Sequence, residues 1–225
     1  MRHSSELASA YLERPGFLRV YFGDSSEWSD TGFRDIIEVF RDRIGSGMCY
    51  FENGKSRWPT PSQVAPVVDL PPPLGRRRVY LHMISELEPF ARERSQGVAA
   101  YFGNVSARTL ATLTLAACLP ERLKLLAVPW LRSAFRRDHQ SGSKTGFQVV
   151  RVDDLAAPRQ LTVVVLERRH YWITGIVPAV VADMLADGMP VVRGSQFLSE
   201  AVDAKLMMQL LEKQGVVPQL TVEAI

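Results

Sequence analysis

The residues best suited to chemistry in this chain are clustered arginines: Arg76-Arg77-Arg78, Arg136-Arg137 and Arg168-Arg169, the last followed by His170. A guanidinium presents a planar fork of donors that grips carboxylate or phosphate in bidentate fashion. Each cluster is therefore a candidate anion contact, with solvated surface as the competing reading. The histidines, His3, His82, His139 and His170, are too far apart in sequence to make a metal-ligand spacing. Gly45 and Gly47 invite a dinucleotide label, but they follow a helical pattern and enter a strand, the reverse of the order that the fingerprint needs. Gly142-Ser143-Lys144-Thr145-Gly146 has the flavour of a phosphate loop, yet its leading glycine is missing and a strand follows, so no helix N-terminus is offered to an anion. No Gly-x-Ser-x-Gly elbow occurs.

Behind these residues stands a chain of 225 residues, long enough for one substantial core, with an ordinary 46% of hydrophobic residues. Its 27 basic against 24 acidic side chains leave a net charge of +3, a small surplus that suits an anionic ligand and does not call for nucleic acid. The two cysteines, Cys49 and Cys118, sit in apolar segments without CxxC spacing and read as buried thiols in a reducing compartment. The first residues contain no apolar run of signal-peptide length. The oiliest stretch, 110–131, is broken by Pro120-Glu121-Arg122 and Lys124, too soon for a membrane span. A cytoplasmic protein with neither membrane nor nucleic acid as partner is expected. Leu123, Leu126, Trp130, Leu131 and Phe135 stand among bases between Arg122 and Arg137; such a segment can lie on a membrane, but the reading taken here is a helix packed on the protein's own sheet.

The elements that must position these residues follow from periodicity. A short helix is expected over 6–13, a strand over 17–23 and an amphipathic helix over 31–44 with Phe33, Ile36, Ile37, Phe40 and Ile44 inward. Asn53-Gly54, flanked by 48–52 and 55–58, is a two-residue hairpin signal. The proline-rich stretch from Pro59 to Pro73 reads as extended connecting chain, with few donors for a central strand. Strand character resumes over 79–83, and Ser85-Glu86-Leu87-Glu88 opens a short helix. A strand over 97–103 precedes two or three helices across 106–137, divided at Pro120 and Pro129. After a polar loop over 138–145 come strands 147–153 and 160–167, then helices over 173–186 and 203–214. The whole is a single α+β domain with a mixed, largely antiparallel sheet and helices packed mainly on one face: a leading helix in 1–15, sheet and helices in 16–172, C-terminal helices and a tail in 173–225.

One phrase occurs twice. Tyr21-Phe22-Gly23-Asp24 and Tyr101-Phe102-Gly103-Asn104 each run from an apolar aromatic stretch into a turn, and each precedes a helix. Both are expected to be strand ends in one sheet.

Three stretches together resemble the C-terminal part of the saccharopine dehydrogenase and saccharopine reductase-like oxidoreductases. They are CYFENGKSRWPTPS (49–62), VYLHMISELEPFARERSQGVAAYFGN (79–104) and TGIVPAVVADMLADGMPVVRGSQFLSEAVDAKLMMQLLEKQGV (174–216). Their order and spacing across nearly the whole chain carry the resemblance. It implies a sheet domain like the C-terminal domain of glyceraldehyde-3-phosphate dehydrogenase, serving as the substrate-binding and dimerisation part of an NAD(P)-dependent oxidoreductase. The family's Rossmann domain has no counterpart here, since no strand-GxGxxG-helix occurs. The chain accordingly reads as a fragment or a late-started product, inactive alone. NAD or NADP belongs to the intact protein, and no cofactor or metal site is expected in this chain. The intact enzyme would take an amino or imino acid and form a homodimer. Its substrate side needs Arg for carboxylates and a general acid or base for the amine or imine. The catalytic candidates are His82 and Glu86, with Ser85, Lys144 and Arg169 as substrate-binding candidates at or near strand ends. The alternative is a stand-alone, non-enzymatic dimerisation or partner-binding module of the same fold.

Overall fold

The computed structural model describes residues 12, 14–23, 28–42, 49–82, 87, 96–141, 145–167, 170–189, 202–216 and 218–224. Its chain order is β1 (Pro15–Gly23), α1 (Asp30–Asp42), β2 (Tyr50–Glu52), β3 (Lys55–Arg57), α2 (Pro61–Val64), β4 (Val67–Leu70), β5 (Gly75–Arg78), β6 (Tyr80–Leu81), β7 (Gly97–Gly103), α3 (Ala107–Cys118), α4 (Glu121–Ser141), β8 (Gly146–Asp154), β9 (Arg159–Glu167), α5 (His170–Ala186), α6 (Ala204–Lys213) and β10 (Gln219–Ala224). Apart from the buried Leu12 and Leu87, the expected helix over 6–13, Gly45 and Gly47, and the helix opening at Ser85 lie outside the described residues.

The main sheet runs β10-β9-β8-β1-β7-β2-β3, with β6 also paired to β7. Its β1–β7 pair is parallel and its other pairs are antiparallel, which makes the fold the expected mixed, mostly antiparallel α+β arrangement. The period-two alternation of a strand sends successive side chains to opposite faces, and both faces are apolar here. One carries Leu18, Val20, Val98, Ala100, Val150, Val152, Leu161 and Val163. The other carries Tyr21, Phe147, Val149 and Val164, covered by Leu70 and Leu74 of the β4–β5 unit.

That covering unit corrects one expectation. The stretch from Pro59 to Pro73 is not merely connecting chain: it contains α2 and β4, and β4 pairs antiparallel with β5. The prolines fall where a missing donor does no harm, at the first helical position, Pro61, and in the turn whose Leu74 amide donates to Pro71 O at 2.9 Å. The four residues of β4 all keep their amides. At the Asn53-Gly54 hairpin both residues adopt the left-handed φ that the sequence demands, 52° and 72°.

The helices depart from expectation in two respects. First, α4 continues through Pro129 instead of dividing there. Pro129 is exposed, so the carbonyl four residues earlier that it fails to engage belongs to the solvent side of the helix. The expected loop from residue 138 accordingly begins later, after Ser141. Second, α1, α3 and α4 pack chiefly on one another, around Phe33, Ile37, Leu113, Ala127, Val128 and Leu131, rather than on the sheet. Lys124, 4% exposed, reaches from α4 to Glu38 of α1 at 2.8 Å. The outer positions Leu123, Leu126 and Trp130 of α4 consequently remain exposed. Cys49 is buried as expected, whereas Cys118, on the last turn of α3, is exposed. Farther along, α5 and α6 pack together with Val165 of β9, and the chain's tail is itself a strand, β10, that extends the sheet beside β9.

Candidate functional site

The repeated phrase is one place in space. In the parallel β1–β7 pair Tyr21 lies opposite Tyr101, Phe22 opposite Phe102 and Gly23 opposite Gly103. The tyrosine rings stack on the face covered by β4–β5, with centroids 5.3 Å apart, and the Phe22 and Phe102 rings meet at the same separation on the other face. The ring of Phe147, from the neighbouring strand β8, occupies the space beside both glycines. A Cβ on Gly23 would stand 2.4 Å from the Phe147 ring, and one on Gly103 would stand 2.9 Å from it.

Over Phe147 sits Arg77 of β5, its guanidinium carbon 5.0 Å from the ring centroid, a cation–π contact. Arg77 Nε and Nη2 both donate to Leu74 O, at 3.2 and 2.6 Å, and Nη1 donates to Asn104 Oδ1 at 2.7 Å. Asn104 holds a left-handed φ of 61°, and its Nδ2 donates to Thr145 O at 3.2 Å. The turn after β7 is thereby tied to the start of β8. Next along the chain Ser106 caps α3, its Oγ accepting from Thr109 N, while its own amide donates to Asp138 Oδ2 of α4 at 2.7 Å. Of the three basic clusters, this middle member of Arg76-Arg77-Arg78 is built into the sheet face; burial lowers its pKa from the usual guanidinium value.

The same face bears a second group of polar side chains beside the tyrosines. Arg19 and Arg151 are partners across β1–β8. Arg19 Nη1 donates to Asp153 Oδ2 at 2.7 Å, and Gln160 Nε2 donates to the other Asp153 oxygen at 2.7 Å. Arg151 lies 6.0 Å from the Tyr21 ring centroid, and its Nη2 donates to Asp69 O of β4 at 2.6 Å. Its Nε is buried with no hydrogen-bond partner, alone in this among the buried side-chain nitrogens and oxygens of the described residues. An unpaired buried donor costs on the order of 1–3 kcal/mol. Burial, reinforced by the neighbouring Tyr21 hydroxyl, pushes the Tyr101 hydroxyl up to about 12, and burial likewise raises Tyr21. Both phenols stay protonated at neutral pH and can donate.

Of the five site candidates singled out by sequence, one falls among the described residues. His82 is described: its amide donates to Ala100 O at 2.8 Å, and its ring packs 6.4 Å from Phe22, on the face opposite the tyrosine pair and the two arginines. Glu86, Ser85, Lys144 and Arg169 lie outside the described residues. Reading the sequence overlooked Arg19, Arg151, Tyr21 and Tyr101 as a group. The signal present was the alternation in β1 and β8, which puts Arg19, Tyr21 and Arg151 on one sheet face among apolar neighbours.

The dinucleotide fit can be tested at the strand ends themselves. Gly23 and Gly103 end two parallel strands that precede helices, where a phosphate cradle would need open backbone. The Phe147 ring fills the space on one side of both glycines. Among the described residues no group of His, Cys, Asp or Glu could hold a metal ion, and no helix is long and apolar enough to cross a membrane. No known protein family and no curated protein matches this sequence.

Proposed function

We propose that this chain is the substrate-binding and dimerisation part of a saccharopine dehydrogenase-like, NAD(P)-dependent oxidoreductase, and that it receives a carboxylate of an amino or imino acid at Arg151. The observation that carries this reading is the buried, partnerless Nε of Arg151 beside Arg19 and Tyr21, whose ring stacks on that of Tyr101. A carboxylate supplies the acceptor the guanidinium lacks, and the phenols supply neutral donors. The mixed, mostly antiparallel sheet agrees with the glyceraldehyde-3-phosphate dehydrogenase-like C-terminal domain implied by the resemblance. The dinucleotide is expected on the Rossmann domain of the intact protein, since no strand-GxGxxG-helix occurs in this sequence.

Titration calorimetry of the full chain with glutamate, the simplest amino dicarboxylate, tests the carboxylate site. Saturable binding is expected, weakened about tenfold or more by Arg151→Gln, in keeping with the loss of a charge-assisted hydrogen bond of about 1.5–3 kcal/mol. The absence of saturable binding to glutamate or to a keto-acid analogue overturns the site. Oxidation of NADPH by the isolated chain in the presence of an imino acid overturns the placement of the cofactor elsewhere.

The second reading, a non-enzymatic partner-binding module, is favoured by the exposed apolar surface of α3 and α4. Loss of that partner on substitution at Trp130, with Arg151→Gln silent, would distinguish it.

A further inference from the structure

The outward surface formed by α3 and α4 carries large apolar side chains that no other part of the described structure covers. Leu115 is 69% exposed, Leu126 64% and Trp130 67%, with Leu123 and Leu125 beside them. A groove of about 540 Å³ between the two helices is walled by Leu115, Leu119, Ala127 and Trp130. At about 100° per residue, Leu123, Leu125, Leu126 and Trp130 spread over roughly 160° of helix circumference. That is broader than the narrow seam a partner helix reads, and it matches a helix laid on an apolar phase.

The charges on the same two helices are mostly basic. Arg108, Arg122, Arg136 and Arg137 are exposed there, and α3 contains no acidic residue. Beyond Glu121 the one acid of α4 is Asp138, whose carboxylate accepts from the Ser106 amide. Arg132 is paired with Asp30 of α1. Trp and Leu ringed by arginine is the chemistry of an interface between apolar chains and anionic headgroups.

We infer that this surface docks peripherally on an anionic lipid bilayer, with Leu126 and Trp130 entering the headgroup boundary and the arginines meeting lipid phosphates. The groove beside Trp130 gives an acyl chain a place to lie. This inference is independent of the carboxylate site, which is on the sheet.

The test is co-sedimentation of the full chain with vesicles of phosphatidylcholine alone and of phosphatidylcholine with phosphatidylserine. Pelleting is expected with the anionic vesicles only, decreasing as salt is raised. Leu126→Glu combined with Trp130→Glu should reduce the bound fraction about tenfold, with an unchanged circular dichroism spectrum. Should that variant fail to fold, brominated lipids decide. They should quench the emission of the native chain on anionic vesicles and quench the Trp130→Phe variant markedly less. Failure to pellet with anionic vesicles, equal binding to neutral ones, or quenching unaltered by Trp130→Phe overturns the inference. So does a dimer in gel filtration that the double variant dissociates, which would place a second copy of the chain on this face.

Discussion

The rings of Tyr21 and Tyr101 stack 5.3 Å apart with an interplanar angle of 17°, although 80 positions (101 − 21) separate them in the chain. The parallel register of β1 and β7 puts them side by side and carries Phe22 and Gly23 to their counterparts as well. The duplicated phrase is thus one strand end answering another. Its two glycines leave room for Phe147, and the first of its tyrosines lies 6.0 Å from the Arg151 guanidinium carbon.

The closest of these fits is at Gly23. An alanine methyl there would meet Phe147 Cε1 at 2.4 Å, and the ring belongs to the buried cluster of Tyr21, Val79 and Val149. Gly23→Ala should lower unfolding stability by about 1–3 kcal/mol in urea titration, as for other overpacked cores. Adding Phe147→Leu should recover part of that loss, so that the double variant is more stable than the sum of the two single changes implies.

At Asn104 backbone and side chain make separate contributions. Asn104→Gly keeps the left-handed φ of 61° available but removes the bonds to Arg77 and Thr145. Asn104→Ala removes both the bonds and the conformational ease. Thermal unfolding should rank native above Gly above Ala, with the two variants about 1 kcal/mol apart. Equal stability of the two variants would show that backbone strain plays no part.

Alkaline pH should act through the tyrosine pair. The Tyr101 hydroxyl ionises at about 12 in the folded chain, against about 10 when unfolded, because burial disfavours the phenolate. Above pH 10 the unfolded state releases a proton that the native state retains. This contribution is therefore complete below about pH 10 and is lost as pH rises towards 12. Urea midpoints measured across that range should fall with pH, and Tyr101→Phe should make the fall shallower.

Acid acts at the opposite end of the sheet. The Asp154 carboxylate accepts from the amides of Ala156 and Arg14, at 3.0 and 3.2 Å, and from Arg159 Nε at 2.7 Å, binding the β8–β9 turn to the start of β1. The Ala156 amide first, then the Arg159 guanidinium and the Arg14 amide, hold its pKa below the usual carboxylate value. A depressed pKa adds stability that is present above the unfolded value of about 3.9 and is lost as pH falls through the folded one. Asp154→Asn should destabilise the chain at neutral pH and flatten its stability profile on the acid side, read from thermal midpoints between neutral pH and about pH 3.

Much of the fold is legible in short windows. The apolar spacing of Phe33 and Ile37 marks α1, Asn53-Gly54 marks the β2–β3 hairpin, and the β-branched run from Thr162 to Val165 marks β9. Local rules misled at prolines. Pro129 reads as a helix boundary because proline lacks the donor that continues a helix, but this residue is exposed and α4 runs through it. The stretch from Pro59 to Pro73 reads as extended connecting chain because it is rich in proline, yet the four residues of β4 all keep their donors.

The candidate site was far less legible. His82 stood out by its type, yet it belongs to the face opposite the arginines, and Arg151 looked like any charged residue in a strand. What the sequence determined by itself was which segments become strands and helices and which of their faces are apolar, because both depend on backbone preferences and on periodicity within a dozen residues. What only the tertiary structure decided was what covers each face. The β1–β7 register, the β4–β5 cover over the tyrosines and the outward Leu126 and Trp130 all follow from pairings between distant segments. A pattern of burial along one element states that a partner is needed. Its identity is settled by the packing of the whole chain.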